Sequence, residues 1–405
     1  MSYKKVPFLS LLEEIVDNRG KTCPTATDGI PLIATNCIKN ENLYPTYENI
    51  RYVSNETYKS WFRGHPLPGD IIFVTKGSPG QTCWVPDPVN FCIAQDMVSI
   101  RVNEKSIYAK YLFALLRSKH VQKQIENMHV GTLIPHFKKG DFDKLNLCID
   151  EDREVQKRIG DFYFILSNKI ELNLRMNKTL ESIAQAIFKE WFVDFRFPGF
   201  DGELVDGVPK GWKNGKVSDT CLVNTNSLSN KDGIDDILYV EISEVEKGFI
   251  KNISTYKRGE EPSRAKRKLY HGDIVLSTVR PNRGSYFLAY KPEINLIAST
   301  GFAVFTATKV PYSFLYSFLT SKEQIDYYGR MADGAAYPSI NPSLIMNMEL
   351  LIPTVKVLGL FNDVVGIIYD KIYENWKQNK ILTQIRDSLL PRLMSGKIRT
   401  IEYGC

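Results

Sequence analysis

Much of this 405-residue chain is written twice, and a chain built that way has to fold as two similar halves. Pro68-Gly69-Asp70-Ile71-Ile72-Phe73-Val74-Thr75 returns as His271-Gly272-Asp273-Ile274-Val275-Leu276-Ser277-Thr278, an offset of 203. Each copy is a turn dipeptide running into a β-rich apolar stretch. The run from Tyr111 to Leu116 (YLFALL) returns from Phe314 to Leu319 (FLYSFL), which predicts a short buried helix in both copies. Gly131 and Pro135 match Gly334 and Pro338, and Leu147 and Ile149 match Leu350 and Ile352. One residue is then lost. At the new offset of 202, Ile170, Asn173, Asn177, Lys178, Leu180 and Ile183 match Ile372, Asn375, Asn379, Lys380, Leu382 and Ile385.

The chain therefore reads globule, long helix, globule, long helix, with boundaries at 1–152, 153–196, 197–354 and 355–405. Each globule mixes short β-rich runs with a few helices, a compact α/β (mixed α+β) domain of roughly 150 residues. Phe197 to Gly215 is crowded with Gly and Pro and reads as the linker.

Two matching stripes define the helices. The first, expected over Arg153 to Phe195, carries Ile159, Tyr163, Leu166, Ile170, Asn173, Asn177, Leu180, Ala184, Ile187 and Trp191 at alternating steps of four and three. The second carries Phe361, Val365, Ile368, Ile372, Asn375, Asn379, Leu382, Arg386, Leu389 and Leu393 at the same steps. A rod of ~33 residues spans ~50 Å, longer than a small globule covers, so the helices are expected to pair. Pseudo-two-fold symmetry predicts an antiparallel coiled coil between two pseudo-symmetric domains. Ile159 would face Leu393, Trp191 would face Phe361, and Asn173 and Asn177 would meet Asn379 and Asn375. Buried Asn pairs cost stability but fix register.

A hydrophobic fraction of 43% with 24% charged residues describes an ordinary globular protein. No run of about 18 apolar residues is present to cross a bilayer, so no membrane contact and a cytoplasmic location are expected. Seven cysteines at irregular spacing, without a Cys-x-x-Cys, predict buried reduced thiols. The net charge of +6 is unevenly spread: Lys251 to Lys291 holds ten Lys/Arg against Glu260, Glu261 and Asp273. Such a window is either a solvated lysine-rich loop or a surface that neutralises phosphates.

Nothing in the sequence asks for a cofactor or a metal. There is no Gly-x-Gly for a nucleotide or adenosyl cofactor and no Gly-x-x-x-x-Gly-Lys-Ser/Thr for ATP. Asn341-Pro342 continues into Ser343, not into the Pro-aromatic pair with which amino-methyltransferases grip a flipped base. No Asp-x-Lys or Glu-x-Lys tripeptide is present for a nuclease metal, and the five histidines are scattered. No catalytic residue is expected.

These features together resemble the specificity subunits of type I restriction–modification systems. The likeness rests on the doubled Gly-Asp-Ile (69 to 71 and 272 to 274) and on Glu154-Val155-Gln156-Lys157-Arg158-Ile159, similar to the family's Glu-Gln-x-x-Ile helix opening. Pro209-Lys210-Gly211-Trp212 ahead of the second domain adds to it, while Val355-Lys356-Val357-Leu358-Gly359 departs from the Glu-Gln form. The resemblance implies two target recognition domains, each reading half of a split site in double-stranded DNA. It also implies a helical spacer that docks methyltransferase subunits, to which translocase-nuclease subunits can be added. Half-sites one helical turn apart, ~34 Å, lie on one face of the duplex. A coiled-coil scaffold that binds no DNA, and the recognition subunit of a fused methyltransferase-nuclease system, are the alternatives.

Direct readout needs side chains that reach base edges from a rigid scaffold, with Lys and Arg on phosphates around them. Thr75, Lys76, Ser78 and Gln81 in the first domain and Thr278, Arg280, Asn282 and Arg283 in the second stand at the ends of the Gly-Asp strands. A second matched loop offers Thr132, His136, Lys138 and Lys139, against Tyr337 and Ser339. Arg264, Lys266, Arg267 and Lys268 are the expected phosphate contacts, whereas Gly69, Asp70, Gly272 and Asp273 read as turn formers.

Overall fold

The computed structural model describes residues 3–18, 21–128, 134–334 and 337–398. The chain forms two compact units, one of Met1–Arg175 with Trp376–Cys405, the other of Met176–Asn375. The division runs through the middle of both long helices rather than at their ends. Half of each helix is buried in the core of each unit.

In unit 1 an antiparallel sheet runs Leu12–Asp17, Met97–Val102, Ile71–Val74, Thr82–Trp84. A second sheet runs Arg51–Val53, Ile30–Ile33, Cys92–Ile93, the last pair parallel. Unit 2 repeats the plan with Cys221–Val223, Phe302–Ala307, Asp273–Ser277, Tyr286–Ala289, and with Ser254–Lys257, Asp236–Val240, Leu296–Ser299. To the latter sheet it adds a fourth strand, Ala265–Lys268, along the far edge of Leu296–Ser299.

The Gly-Asp motifs build the same turn twice. Gly69 and Gly272 take φ of 88° and 87°, where L side chains are strained, and the carboxylates that follow accept from the backbone N–H of Leu67 (2.9 Å) and Tyr270 (2.7 Å). The next residues enter the central strands. The short helices are Ala109–Leu116 and Tyr312–Leu319, apolar nearly all round and buried between sheet and long helix.

The first long helix is Arg153–Phe192 and the second Val355–Met394. The first stops short of the expected Phe195 because that residue sits at φ 55°, outside the right-handed helix. Its start is tied to the lobe by Gln156, which accepts from Tyr108 N–H (2.9 Å) and donates to the Asp150 carbonyl (2.6 Å). Asp152 caps it, accepting from Glu154 N–H at 2.9 Å. The expected linker is partly ordered as a hairpin, Leu204–Val205 with Val208–Pro209. Trp212, within it, stacks on Phe197 and meets the ring of Phe192.

In unit 1 the two helices run antiparallel. Asn173, fully buried, donates to Asn379 Oδ1 (2.8 Å), and Asn379 donates to the Ile170 carbonyl (3.3 Å). Ile159, Tyr163, Leu390 and Leu393 are buried together with Tyr111 and Leu112 of the short helix, and Leu389 packs on them. Leu166 and Leu382 are half-buried.

In unit 2 they are antiparallel as well. Asn375 donates to Asn177 Oδ1 (2.8 Å), and Asn177 to the Ile372 carbonyl (3.3 Å). Ala184, Phe188, Phe192, Phe361, Val365 and Tyr369 form the buried layer, with Ile187, Trp191, Ile368 and Ile372 packed on it and Leu180 half-buried. Trp191 meets Phe361 edge-on at 5.8 Å. The buried stripe is wider than the one read from spacing, taking in Ser167, Phe188, Phe192, Tyr369 and Leu390. Each half-helix faces a lobe as well as its partner helix.

Glu181 lies inside unit 2. Tyr316 Oη donates to it at 3.1 Å, and a side chain at Gly248 (φ 83°) would overlap its carboxylate. Burial pushes this carboxyl up to about 7, against the pull of the Tyr316 hydrogen bond. Of the cysteines, 23, 37, 83, 92 and 221 are free and buried, but Cys148 is exposed, on the opposite face of its strand from the buried Leu147 and Ile149; Cys405 lies outside the described residues. Among the described residues no helix is long and apolar enough to cross a membrane.

Candidate nucleic-acid interface

In each unit two loops are joined by the same three backbone contacts. In unit 1 the Phe137 N–H donates to the Thr75 carbonyl (2.8 Å), Gly77 N–H to the Pro135 carbonyl (2.9 Å), and Lys76 pairs with His136 as an isolated antiparallel bridge. In unit 2 the Ile340 N–H donates to the Thr278 carbonyl (2.9 Å), Arg280 N–H to the Pro338 carbonyl (2.7 Å), and Val279 pairs with Ser339. Thr75 and Thr278 complete the frame, their hydroxyls donating to the carbonyls of Asp96 (3.1 Å) and Gly301 (2.9 Å). The Gly131/Gly334 and Pro135/Pro338 matches in the sequence mark the second loop of this frame, although Gly131 lies outside the described residues.

The frame sorts the candidates. Thr75 is buried and, like Thr278, has its hydroxyl in use, so both support the loop instead of facing outward. Gln81 is likewise turned inward: its Oε1 accepts from Asn40 N–H at 2.7 Å. Ser78 and Lys138 are exposed, and Lys76 and His136 half-exposed, beside them. Lys139 is exposed but ion-paired with Asp17. Thr132 lies outside the described residues.

In unit 2 Asn282 and Arg283 stand exposed in a single 3-10 turn, Pro281–Arg283, and the Asn282 Cβ packs against Gly329 of the helix Lys322–Met331. Arg280, just before that turn, holds φ 47° and ψ 55° and lies over the ring of Tyr337, 4.8 Å from its centroid. Tyr337 and Ser339 are exposed.

Folding pairs five of the ten cations of the basic window with carboxylates. Lys251 pairs with Glu246 (2.7 Å), Lys257 with Asp236 (2.6 Å), Arg258 with Glu261 (3.2 Å), Lys268 with Asp232 (2.6 Å) and Lys291 with Asp370 (2.7 Å). Lys268, read from the sequence as a phosphate contact, is thus occupied, its side chain 17% exposed. Arg267 is half-buried with a buried Nε that has no partner, and desolvation lowers its pKa. Arg264, Lys266 and Arg283 are exposed and make no ion pair among the described residues.

The exposed cations are tied to the reading loop by a turn that sequence reasoning missed. The Arg264 carbonyl accepts from Thr300 N–H (2.8 Å), and the next carbonyl, of Gly301, accepts from Thr278 N–H (3.0 Å). The basic edge strand and the Arg280 loop therefore share one anchor. The two units differ at this anchor: Thr75 bonds to Asp96 where Thr278 bonds to Gly301, two residues beyond the matched position. The assembled face has planar donors, a stacked aromatic and unneutralised cations on a fixed frame, a combination suited to base edges and phosphates.

The family model of the type I restriction modification DNA specificity domain matches residues 13–182. The HindI type I restriction enzyme specificity subunit of Haemophilus influenzae is 26% identical over 89% of this chain and 92% of its own. The MjaIX specificity subunit of Methanocaldococcus jannaschii is 25% identical over 74% of this chain and 72% of its own. The S subunit of the type I system of M. genitalium, a crystal structure, is 15% identical; it covers 97% of this chain and 96% of its own with a TM-score of 0.56, a likeness of fold. The chain thus carries a DNA specificity domain of this type over residues 13–182 and is similar along most of its length to the specificity subunits of type I restriction–modification systems.

Proposed function

We propose that the chain is the non-catalytic DNA-recognition subunit of a type I restriction–modification complex in the cytoplasm. Each of its lobes reads one half of a split DNA site, and the long helices serve as spacer and as the seat of the methyltransferase subunits. Adenine methylation and any cleavage belong to the partner chains. One observation supports this above the others: an identical hydrogen-bonded loop frame recurs in both units with different side chains mounted on it. A reader of two unlike half-sites needs a constant scaffold and variable tips. The exposed Arg264, Lys266 and Arg283 beside that frame fit phosphate contacts.

Methylation mapping of the source genome tests the reading. A split motif with a fixed gap should be modified, and modification should vanish when this gene is deleted. Binding measured against salt gives the finer check. Lys266→Ala should weaken all duplexes alike and lower the salt slope by about one. A genome without such a motif, or binding indifferent to salt, would sink the proposal.

A further inference from the structure

Asn282 stands in a turn that is held at three points. The frame fixes its start, where the Arg280 N–H donates to the Pro338 carbonyl. Within the turn the Arg283 N–H returns to the Arg280 carbonyl and the Gly284 N–H to that of Pro281, each at 3.0 Å, and Pro281 is buried. The helix Lys322–Met331 bears on Asn282 itself: a side chain at Gly329 would lie 3.0 Å from the Asn282 Cβ. The stem of Lys247 in turn closes on Gly284, where a side chain would come within 3.0 Å of it.

The first lobe builds this loop differently. Gly77 and Arg280, matched in the frame, are both left-handed, at φ 87° and 47°. Beyond them the Ser277 N–H bonds to the Ser285 carbonyl where the Val74 N–H bonds to that of Gln81, so the second loop is longer by one residue. In unit 1 the matched helix, Lys119–Met128, bears on backbone: a side chain at Gly80 would come within 3.2 Å of Ile125. The first tip, Gly77 and Ser78, exposes a hydroxyl where the second exposes an amide.

That amide has nothing in the protein to hold. The Arg280 guanidinium is engaged on Tyr337, whereas Asn282 is exposed and makes no hydrogen bond among the described residues. A packed Cβ on a fixed turn sets where the amide starts and leaves its donor and acceptor, side by side, for a partner outside the chain. In the major groove of duplex DNA that pair matches the N6 amino group and N7 of adenine. Arg283, next to it, fits a phosphate, a contact that positions without choosing a base.

Resting on the DNA-recognition function proposed above, we infer that Asn282, positioned by Gly329, reads an adenine in the half-site of the second lobe. The first lobe has no amide at this place and makes no such contact. One frame thus carries two different readers.

The test uses the full chain assembled with its methyltransferase partners and a randomised duplex library, comparing the motifs that each variant enriches. The wild-type complex should enrich a split motif with an adenine in one half. Asn282→Ala should cut the preference for that adenine roughly tenfold or more and leave the other half unchanged. Asn282→Asp, which keeps the size but has only acceptors, should lose the adenine and shift toward cytosine. Gly329→Ala, which crowds the Asn282 Cβ, should weaken the same adenine without lowering the melting temperature, since alanine favours a helix.

An Asn282→Ala motif identical to wild type overturns the inference. So does an equal loss in both halves, a loss at a base other than adenine, or an Asn282→Asp complex that keeps the adenine. Full preference in Gly329→Ala overturns the positioning role of that glycine. A wild-type complex that enriches no motif overturns the DNA-recognition function instead.

Discussion

The helix pair is packed differently in the two units, although the repeat gives it the same geometry in each. In unit 2 the layer is aromatic: Phe188, Trp191, Phe192 and Phe361 meet with ring centroids 4.9 to 6.3 Å apart. The matched residues in unit 1 are Leu390, Leu393, Met394 and Ile159, and Arg386 is buried where unit 2 has Ala184. That arginine lies over Tyr163 at 5.5 Å and bonds to Asp387 at 2.8 Å. The asparagine layer is the same in both. Register is held by the paired amides, and the rest of the layer was free to diverge as long as its volume was filled.

The largest effect should come from the aromatic layer. Phe361→Ala should destabilise by about 3–5 kcal/mol, more than Ile159→Ala at the matched position of unit 1. Hydrogen exchange should show the loss of protection concentrated in residues 176–375. Equal loss across the whole chain would mean that the two layers are not independent.

Next in size is a pH dependence confined to unit 2, since Thr383 stands in the second helix where the first has Glu181. The folded Glu181 carboxyl titrates at about 7, above its ordinary 4.5. The native state therefore keeps its proton to higher pH than the unfolded chain, and stability declines as pH rises from about 4.5 to about 7, then levels off. The decline amounts to up to about 3 kcal/mol. Glu181→Gln should flatten it in urea titrations run at pH 5 and pH 8; an unchanged slope would assign the dependence to other groups.

A smaller effect attaches to the asparagine layer. Asn173→Ala takes the donor from the half-buried Asn379 Oδ1 and should cost about 1–3 kcal/mol, whereas leucine at both 173 and 379 should recover the loss. Cysteines at 173 and 379 should crosslink under mild oxidation. Crosslinking in a shifted register instead would break the comparison at its root.

The smallest pair concerns the loops. Gly77→Ala should lose about 1 kcal/mol and Arg280→Gly gain a similar amount, because each moves the left-handed site in the opposite direction. Thermal melts of the two variants that shifted the same way would contradict the matched frame.

How much of this is legible in the sequence depends on how far apart the interacting residues lie. Helix spacing is local, so the stripe from Ile159 to Trp191 can be read directly. What widens it, the packing of Phe188 and Phe192 against Phe314 and Trp212, is long-range and leaves no periodic trace. The basic window shows the same limit more sharply. Lys257, Lys268 and Lys291 look uncompensated until Asp236, Asp232 and Asp370 arrive from 21 to 79 residues away. Among the loop candidates, composition marked Arg280 and Tyr337. It could not tell that Thr75, Thr278 and Gln81 spend their polar atoms inward, because the acceptors and donors that occupy them belong to other segments.

The boundary between the units also orders the birth of the molecule. Unit 2 is one uninterrupted stretch, Met176–Asn375, whereas unit 1 draws Leu390 and Leu393 into its core from the far end of the chain. On a ribosome the later-made unit thus holds all its residues first, reversing the usual N-terminal-first sequence. The earlier one waits with Ile159 and Tyr163 uncovered until translation passes Leu393, an interval in which a chaperone or a premature neighbour would find it open.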